Sequence, residues 1–197
     1  MSASITTSSN PEFKSKLDRL RDESIRPIEV RQLIGEMTQI LAADAILKHG
    51  PEERVAVVAI LRSGMQMVDP FVAEFPEDTD NVIYHLGLFR DKVSLQPVEY
   101  YNKLPTKDPK IRHAYVLDPV LATGGTVTAA INILRDWGIE QISVVTVLSS
   151  KVGLAAASKV WPEKTRFITG FTDPEIDSKG HIQPGIGDIG DRLFGTT

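Results

Sequence analysis

Cysteine is absent from all 197 residues, which excludes disulfides, thiolate metal sites and cysteine nucleophiles and points to a reducing compartment. A positive charge balance is absent too. Lys and Arg number 22 against 26 Asp and Glu, a formal charge of -4, so no global basic field draws the chain to nucleic acid or to an anionic membrane. No stretch approaches the roughly 18 uninterrupted apolar residues of a membrane-spanning helix, and the opening MSASITTSSNPEFK lacks the basic head and apolar core of a secretory leader. A cytoplasmic protein is expected. Aromatics make up only 7% and hydrophobic residues 42%, proportions of a globular chain long enough for one domain of about 150 to 200 residues.

What is present is an alternation of apolar runs and amphipathic stretches. Residues 1–10, rich in Ser, Thr and Asn, are expected to form a mobile arm, and 11–197 a single domain. The spacing of Val30, Leu33, Ile34, Met37, Ile40, Leu41, Ala45 and Ile46 predicts a helix from Pro27, stopped by Gly50-Pro51. Residues 55–61 (VAVVAIL) form the short apolar run that a parallel strand covered on both faces requires. A helix over 65–75 and a strand over 82–88 follow. Residues of about 89–110, with their charges, Pro97, Pro105 and paired Tyr100-Tyr101, read as a flexible arm or hairpin over the surface. Beyond them come a strand over 114–117, a helix over 126–137 ended by Gly138, a strand over 141–148, a helix over 153–160 and a strand over 166–169. This order predicts an α/β fold, a mainly parallel twisted sheet flanked by helices, with binding residues in loops beyond the C-terminal strand ends.

The strongest local signal is VLDPVLATGGT at 116–126, a buried strand, a small-residue turn and a helix start. Backbone N–H groups at a helix start carry partial positive charge, glycines let a phosphate approach, and Thr123 and Thr126 add hydroxyl donors. Asp118, at the strand end, suits a sugar diol, because a carboxylate accepts from hydroxyls and repels phosphate. On its own, TGGT reads equally well as a helix capped by threonine. Thr126 follows Gly125 where a nucleotide-hydrolysing phosphate loop would need lysine. Arg62 and Arg90 lie at predicted strand ends, where a guanidinium fork suits a polyphosphate, although a lone arginine is more often in a surface ion pair. GIGDIG at 185–190 has dinucleotide spacing but lacks the strand, helix and distant acid that fingerprint needs. The four histidines, His49, His85, His113 and His181, have no metal-ligand spacing and read as surface or packing residues.

Taken together, four segments resemble the uracil phosphoribosyltransferase family: 116–126, 59–65 (AILRSGM), 97–105 (PVEYYNKLP) and 180–196 (GHIQPGIGDIGDRLFGT). Leu20-Arg21-Asp22 fits as well, and the resemblance runs in order over about 17–197. It implies a type I phosphoribosyltransferase fold with a β-arm or lid and a small base-binding hood at about 171–197. It also implies transfer of the phosphoribosyl group from 5-phosphoribosyl 1-diphosphate to N1 of uracil, giving UMP and diphosphate in pyrimidine salvage. Mg²⁺ is expected on the diphosphate substrate, with no dedicated protein metal site.

By the family pattern, Arg62 and Arg90 contact the diphosphate. Asp118, Pro119, Val120, Leu121, Ala122, Thr123, Gly124, Gly125 and Thr126 hold the ribose 5-phosphate. Ile182, Gly187, Asp188 and Ile189 hold uracil, and Asp188 also positions the sugar and takes the N1 proton; Asp188, Arg62 and Arg90 are thus the expected catalytic set. Many relatives have a small residue at the position of Ile189 and an aromatic one at that of His181, so base identity is where the chain departs most. Asp118-Pro119, where other phosphoribosyltransferases often have two acids, favours the uracil branch. A phosphoribosyltransferase for another base and a non-catalytic nucleotide sensor on the same fold remain as alternatives. The resemblance also implies a homodimer or larger homo-oligomer and brings in a GTP effector, for which the sequence singles out no residues.

Overall fold

The computed structural model describes residues 3–91 and 97–196. In chain order the elements are β1 (Ser4–Thr7), α1 (Pro11–Leu20), α2 (Pro27–Ala45), β2 (Arg54–Leu61), α3 (Met65–Val72), β3 (Asn81–Arg90), β4 (Pro97–Asn102), β5 (Ile111–Leu117), β6 (Val120–Leu121), α4 (Gly125–Trp137), β7 (Gln141–Ser150), α5 (Lys151–Ala157), β8 (Thr165–Asp173), β9 (Glu175–Ile176), β10 (Ile182–Gln183) and α6 (Ile189–Phe194).

The main sheet runs β1-β8-β7-β5-β2-β3-β4, with β6 added against β7. Every pairing is parallel except that of β3 with β4. The apolar run of β2 explains its central place. Val55, Val57 and Ala59 join the core on the face covered by α1, α2 and α3, whereas Ala56, Val58 and Ile60 join the core beneath α4 and α5. Successive residues of a strand face opposite sides, so a strand covered twice has no polar position to spare. On α2 the buried residues Val30, Leu33, Ile34, Met37, Leu41 and Ala45 follow the expected periodicity, and the chain leaves the helix at Ile46, before Gly50-Pro51. Gly138, in the left-handed region, ends α4 as expected.

One expectation fails at the start of the chain. Ser4–Thr7 is not an arm without structure but the edge strand β1, in register with Arg166 to Thr169 of β8. Its side chains are exposed, so apolar burial gave no hint of it. The backbone ladder carries the strand, extended by the Ser8 N–H to the Thr169 carbonyl at 2.9 Å. The expected surface excursion after residue 89 is in part the antiparallel β3–β4 hairpin, and residues 92–96 of that arm lie outside the described residues.

The histidines expected as packing residues include one deep in the fold. His113 is buried, stacks on Tyr115 at 4.6 Å and shares a hydrogen bond of 2.8 Å with Ser143 Oγ. Burial, aided by the neighbouring His49 and Arg166, pulls its pKa down to about 3.

Candidate active site

From β2 the chain moves one way to β3, and from β5 it moves the other way to β7. This divergence opens a crevice beyond the C-terminal ends of β2 and β5. A cavity of about 270 Å³ lies there, lined by Arg62 and Ser63 after β2, by Asp118, 120–124 and Thr126 after β5, and by Ile182 with 186–190 near the C-terminus. The loops after β2 and β5 touch closely. A Cβ on Gly64 would sit 2.3 Å from the Leu117 carbonyl oxygen, so only glycine lets the first loop close on the second strand.

The second loop has the features expected of an anion cradle. Gly124 precedes α4 as its capping residue at φ 83, with no side-chain cap, and the Gly125 N–H reaches Thr123 Oγ1 only at 3.5 Å. The threonine-capped alternative is therefore not what forms, and the first N–H groups of a 13-residue helix are left for an anion. Helix α5 braces the loop from behind. Ser150 accepts from the Gly153 N–H at 2.8 Å and donates to the Ala122 carbonyl, and a Cβ on Gly124 would lie 2.5 Å from the Gly153 carbonyl oxygen. Pro119 and Gly125 do not line the cavity. The Pro119 carbonyl instead accepts from the N–H groups of Val147 and Leu148, fixing the loop to β7.

Asp118 lies at the mouth of β5 and is only 7% exposed. Burial pushes its carboxyl up to about 7, against the opposing hydrogen bonds from the Val120 N–H and the Ser63 hydroxyl. Ser63 Oγ donates to it at 3.4 Å. A carboxyl poised near neutrality takes hydrogen bonds from ligand hydroxyls readily, since each favours the ionised form.

The third wall is held by residues to which the sequence assigned no role. Arg21, at the end of α1, grips the buried Asp173 of β8 with two hydrogen bonds of 2.8 and 2.9 Å, and donates to the Gly185 carbonyl at 2.7 Å. Asp173 in turn accepts from the Gly185 N–H at 3.0 Å. Arg192 donates to the carbonyls of Ile186 and Leu20 at 2.6 and 2.7 Å and to that of Asp22 at 2.8 Å. The loop around Ile182 and Gly187 is thereby fixed to the N-terminal helix and to β8. The only sequence signals for this were the small Leu20-Arg21-Asp22 motif and the arginine of the C-terminal motif.

Of the expected catalytic set, Arg62 and Asp188 both line the cavity. Asp188 caps α6, accepting from the Asp191 N–H at 3.1 Å. Arg62 is also in an ion pair, with Asp191 at 3.0 Å, the alternative that the sequence offered for a lone arginine. Arg90 ends β3, and its side chain lies outside the described residues. The expected base contacts Ile182, Gly187 and Ile189 line the cavity together with His181 and Ile186. The string GIGDIG meets only the six-residue α6, too short for the dinucleotide arrangement.

Comparison with known proteins agrees with this geometry. Residues 48–196 match the family model described as uracil phosphoribosyltransferase. The chain belongs to the uracil phosphoribosyltransferase family. It is 43% identical over 99% of its length to urg2 of Schizosaccharomyces pombe, covering 92% of that protein, whose own assignment as a uracil phosphoribosyltransferase is provisional. It is 37% identical to the uracil phosphoribosyltransferase of Roseiflexus castenholzii, with 96% and 97% of the two chains covered. Among solved structures it resembles the AQ2163 protein of Aquifex aeolicus, with a TM-score of 0.87 at 26% identity, covering 98% of this chain and 99% of that one. The mainly parallel sheet with helices on both faces is accordingly the phosphoribosyltransferase type I fold.

Proposed function

We propose that this member of the uracil phosphoribosyltransferase family transfers the phosphoribosyl group of 5-phosphoribosyl 1-diphosphate to N1 of uracil, releasing UMP and diphosphate. The observation that carries the reading is the convergence of three separate segments, Arg62 with Ser63, the 118–126 loop and the 182–190 segment, on one cavity at the switch between β2 and β5.

Each wall suits one part of that chemistry. The uncapped start of α4, with Thr123 and Thr126, takes the 5-phosphate, and Asp118 takes the ribose hydroxyls. As the C1–O bond breaks, positive charge grows on the sugar and negative charge on the leaving diphosphate. Arg62 donates to that charge where it develops. The base lies against Ile182 and Ile189. Backbone groups near Gly187 read the N3–H donor and O4 acceptor of uracil, a pattern that cytosine reverses, and peptide groups cannot change protonation state to accommodate the wrong base. Asp188 positions the base and accepts the N1 proton as the N1–C1 bond forms.

Asp118 and Asp188 are the carboxylates in the cavity, a donor set that fits Mg²⁺ held mainly by substrate oxygens and water. When bound, the ion would offset diphosphate charge. No helix among the described residues is long and apolar enough to cross a membrane, and the cysteine-free composition supports a cytoplasmic setting for such salvage chemistry. Exposed Val98, Tyr100 and Tyr101 on β4 support assembly into a homo-oligomer. The function is tested by following UMP formation in the wild type and in Arg62→Ala, Asp118→Asn and Asp188→Asn variants. Loss of rate in all three is expected, and a full-rate Asp188→Asn enzyme would remove the proton-acceptor role.

A further inference from the structure

We infer that Asp191 is a positioning residue for the reaction, acting through Arg62. This rests on the reading of Arg62 as the diphosphate-facing arginine. The Arg62 side chain is about half exposed and, as a long flexible chain, would sample many rotamers if nothing held it. Instead it is held on three sides by the C-terminal segment. Its Nη2 donates to Asp191 Oδ1 at 3.0 Å, its Nη1 reaches Thr196 Oγ1 at 3.5 Å, and its guanidinium carbon lies 5.6 Å from the centre of the Phe194 ring. Thr196 Oγ1 also donates to Asp191 Oδ1 at 2.5 Å, so the carboxylate is itself fixed.

Asp191 joins two parts of the site. Its main-chain N–H donates to Asp188 Oδ1 while its carboxylate holds Arg62, and Asp188 sits in the segment that receives the base. One residue thus links the base-facing loop to the diphosphate-facing arginine, with Gly190 between them. A Cβ on Gly190 would come 3.4 Å from Arg62 Nη2 and 3.3 Å from Asp188 Oδ1, so the packing there is close. Among the described residues, two of the guanidinium's N–H groups are engaged, by Asp191 and Thr196, and the others remain for an anion in the cavity. An arginine ordered in advance loses less freedom when the diphosphate binds, and ordering one long side chain is worth up to about tenfold in affinity.

The test is a double-mutant cycle on Arg62→Ala and Asp191→Ala, with Asp191→Asn as the conservative variant. Each protein is assayed for KM of both substrates and for inhibition by inorganic diphosphate with Mg²⁺, and its folding is checked by thermal melting. Asp191→Ala is expected to weaken the sugar diphosphate and inorganic diphosphate about tenfold, to leave the KM of uracil within threefold, and to have no further effect when Arg62 is already alanine. Asp191→Asn, which keeps an oxygen acceptor, should recover most of the loss. Equal losses from Asp191→Ala with and without Arg62, a matching loss for uracil, or tighter diphosphate binding would overturn the inference. If Arg62→Ala leaves diphosphate inhibition unchanged, the reading of Arg62 itself falls and the inference with it. If Arg62→Ala weakens inhibition and Asp191→Ala does not, only the role of Asp191 falls.

Discussion

Replacing Arg21 with alanine should damage stability and base binding together. Asp173 is 2% exposed, whereas the Arg21 side chain is 22% exposed, so the carboxylate depends on the arginine more than the reverse. Removing Arg21 deletes both hydrogen bonds to Asp173 and the one to the Gly185 carbonyl, leaving Asp173 with the Gly185 N–H. Stranding one partner of a buried ion pair costs about 3–5 kcal/mol. Because Arg21 is partly solvated and Asp173 keeps a donor, the lower end applies, about 3 kcal/mol. For a chain of this size that lowers Tm by roughly 6–12 °C. Adding Asp173→Asn to Arg21→Ala removes the stranded charge and should recover about half of the loss. Urea unfolding of the ligand-free proteins measures the cost. Steady-state kinetics should show the KM of uracil rising at least about tenfold with that of the sugar diphosphate nearly unchanged, since Gly185 belongs to the base-facing loop. A cost below about 1 kcal/mol, typical of a surface pair, with an unchanged KM for uracil would refute the reasoning.

Three further expectations follow from the same geometry. The raised pKa of Asp118 means that, as pH rises from 4 through about 7, the unfolded chain loses its proton before the folded one does. Its ionisation therefore lowers stability over that window, by up to about 4 kcal/mol, and ligand-free Asp118→Asn should gain on the wild type between pH 5 and 8; an equal difference at both pH values contradicts this. For His113 the sign reverses. Its depressed pKa means that stability is lost as pH falls from 6.5 toward 3, and acid unfolding should shift to lower pH in His113→Gln, an unshifted midpoint counting against the buried-histidine account. Gly124→Ala places a Cβ 2.5 Å from the Gly153 carbonyl oxygen in a left-handed conformation; it should raise the KM of the sugar diphosphate more than tenfold, and an unchanged KM would argue against the cradle.

How much of this was legible in the sequence depended on how local the cause was. The apolar run of β2 and the helix-start glycines after β5 are set by neighbouring residues, and both stand where expected. Strand β1 was not legible, because it is held by a main-chain ladder to β8 rather than by apolar side chains. The buried face of α1, Phe13, Leu17 and Leu20, has helical spacing and could have been read. The pairs that shape the site were beyond reach for a different reason. Arg21 and Asp173 are 152 residues apart and Arg62 and Asp191 are 129 apart, so only the fold determines which acid meets which arginine. Asp118 could be placed at a strand end, but its raised pKa follows from how far the loop is buried.

The most direct test of the central claim is product identification by mass spectrometry. Purified protein is given Mg²⁺, 5-phosphoribosyl 1-diphosphate and an equimolar mixture of uracil, cytosine, orotate, hypoxanthine and adenine. UMP as the sole nucleotide, lost in Arg62→Ala, is the predicted result. A different nucleotide would contradict the assignment of the 182–189 pocket to uracil, and no nucleotide at all would contradict the enzymatic reading.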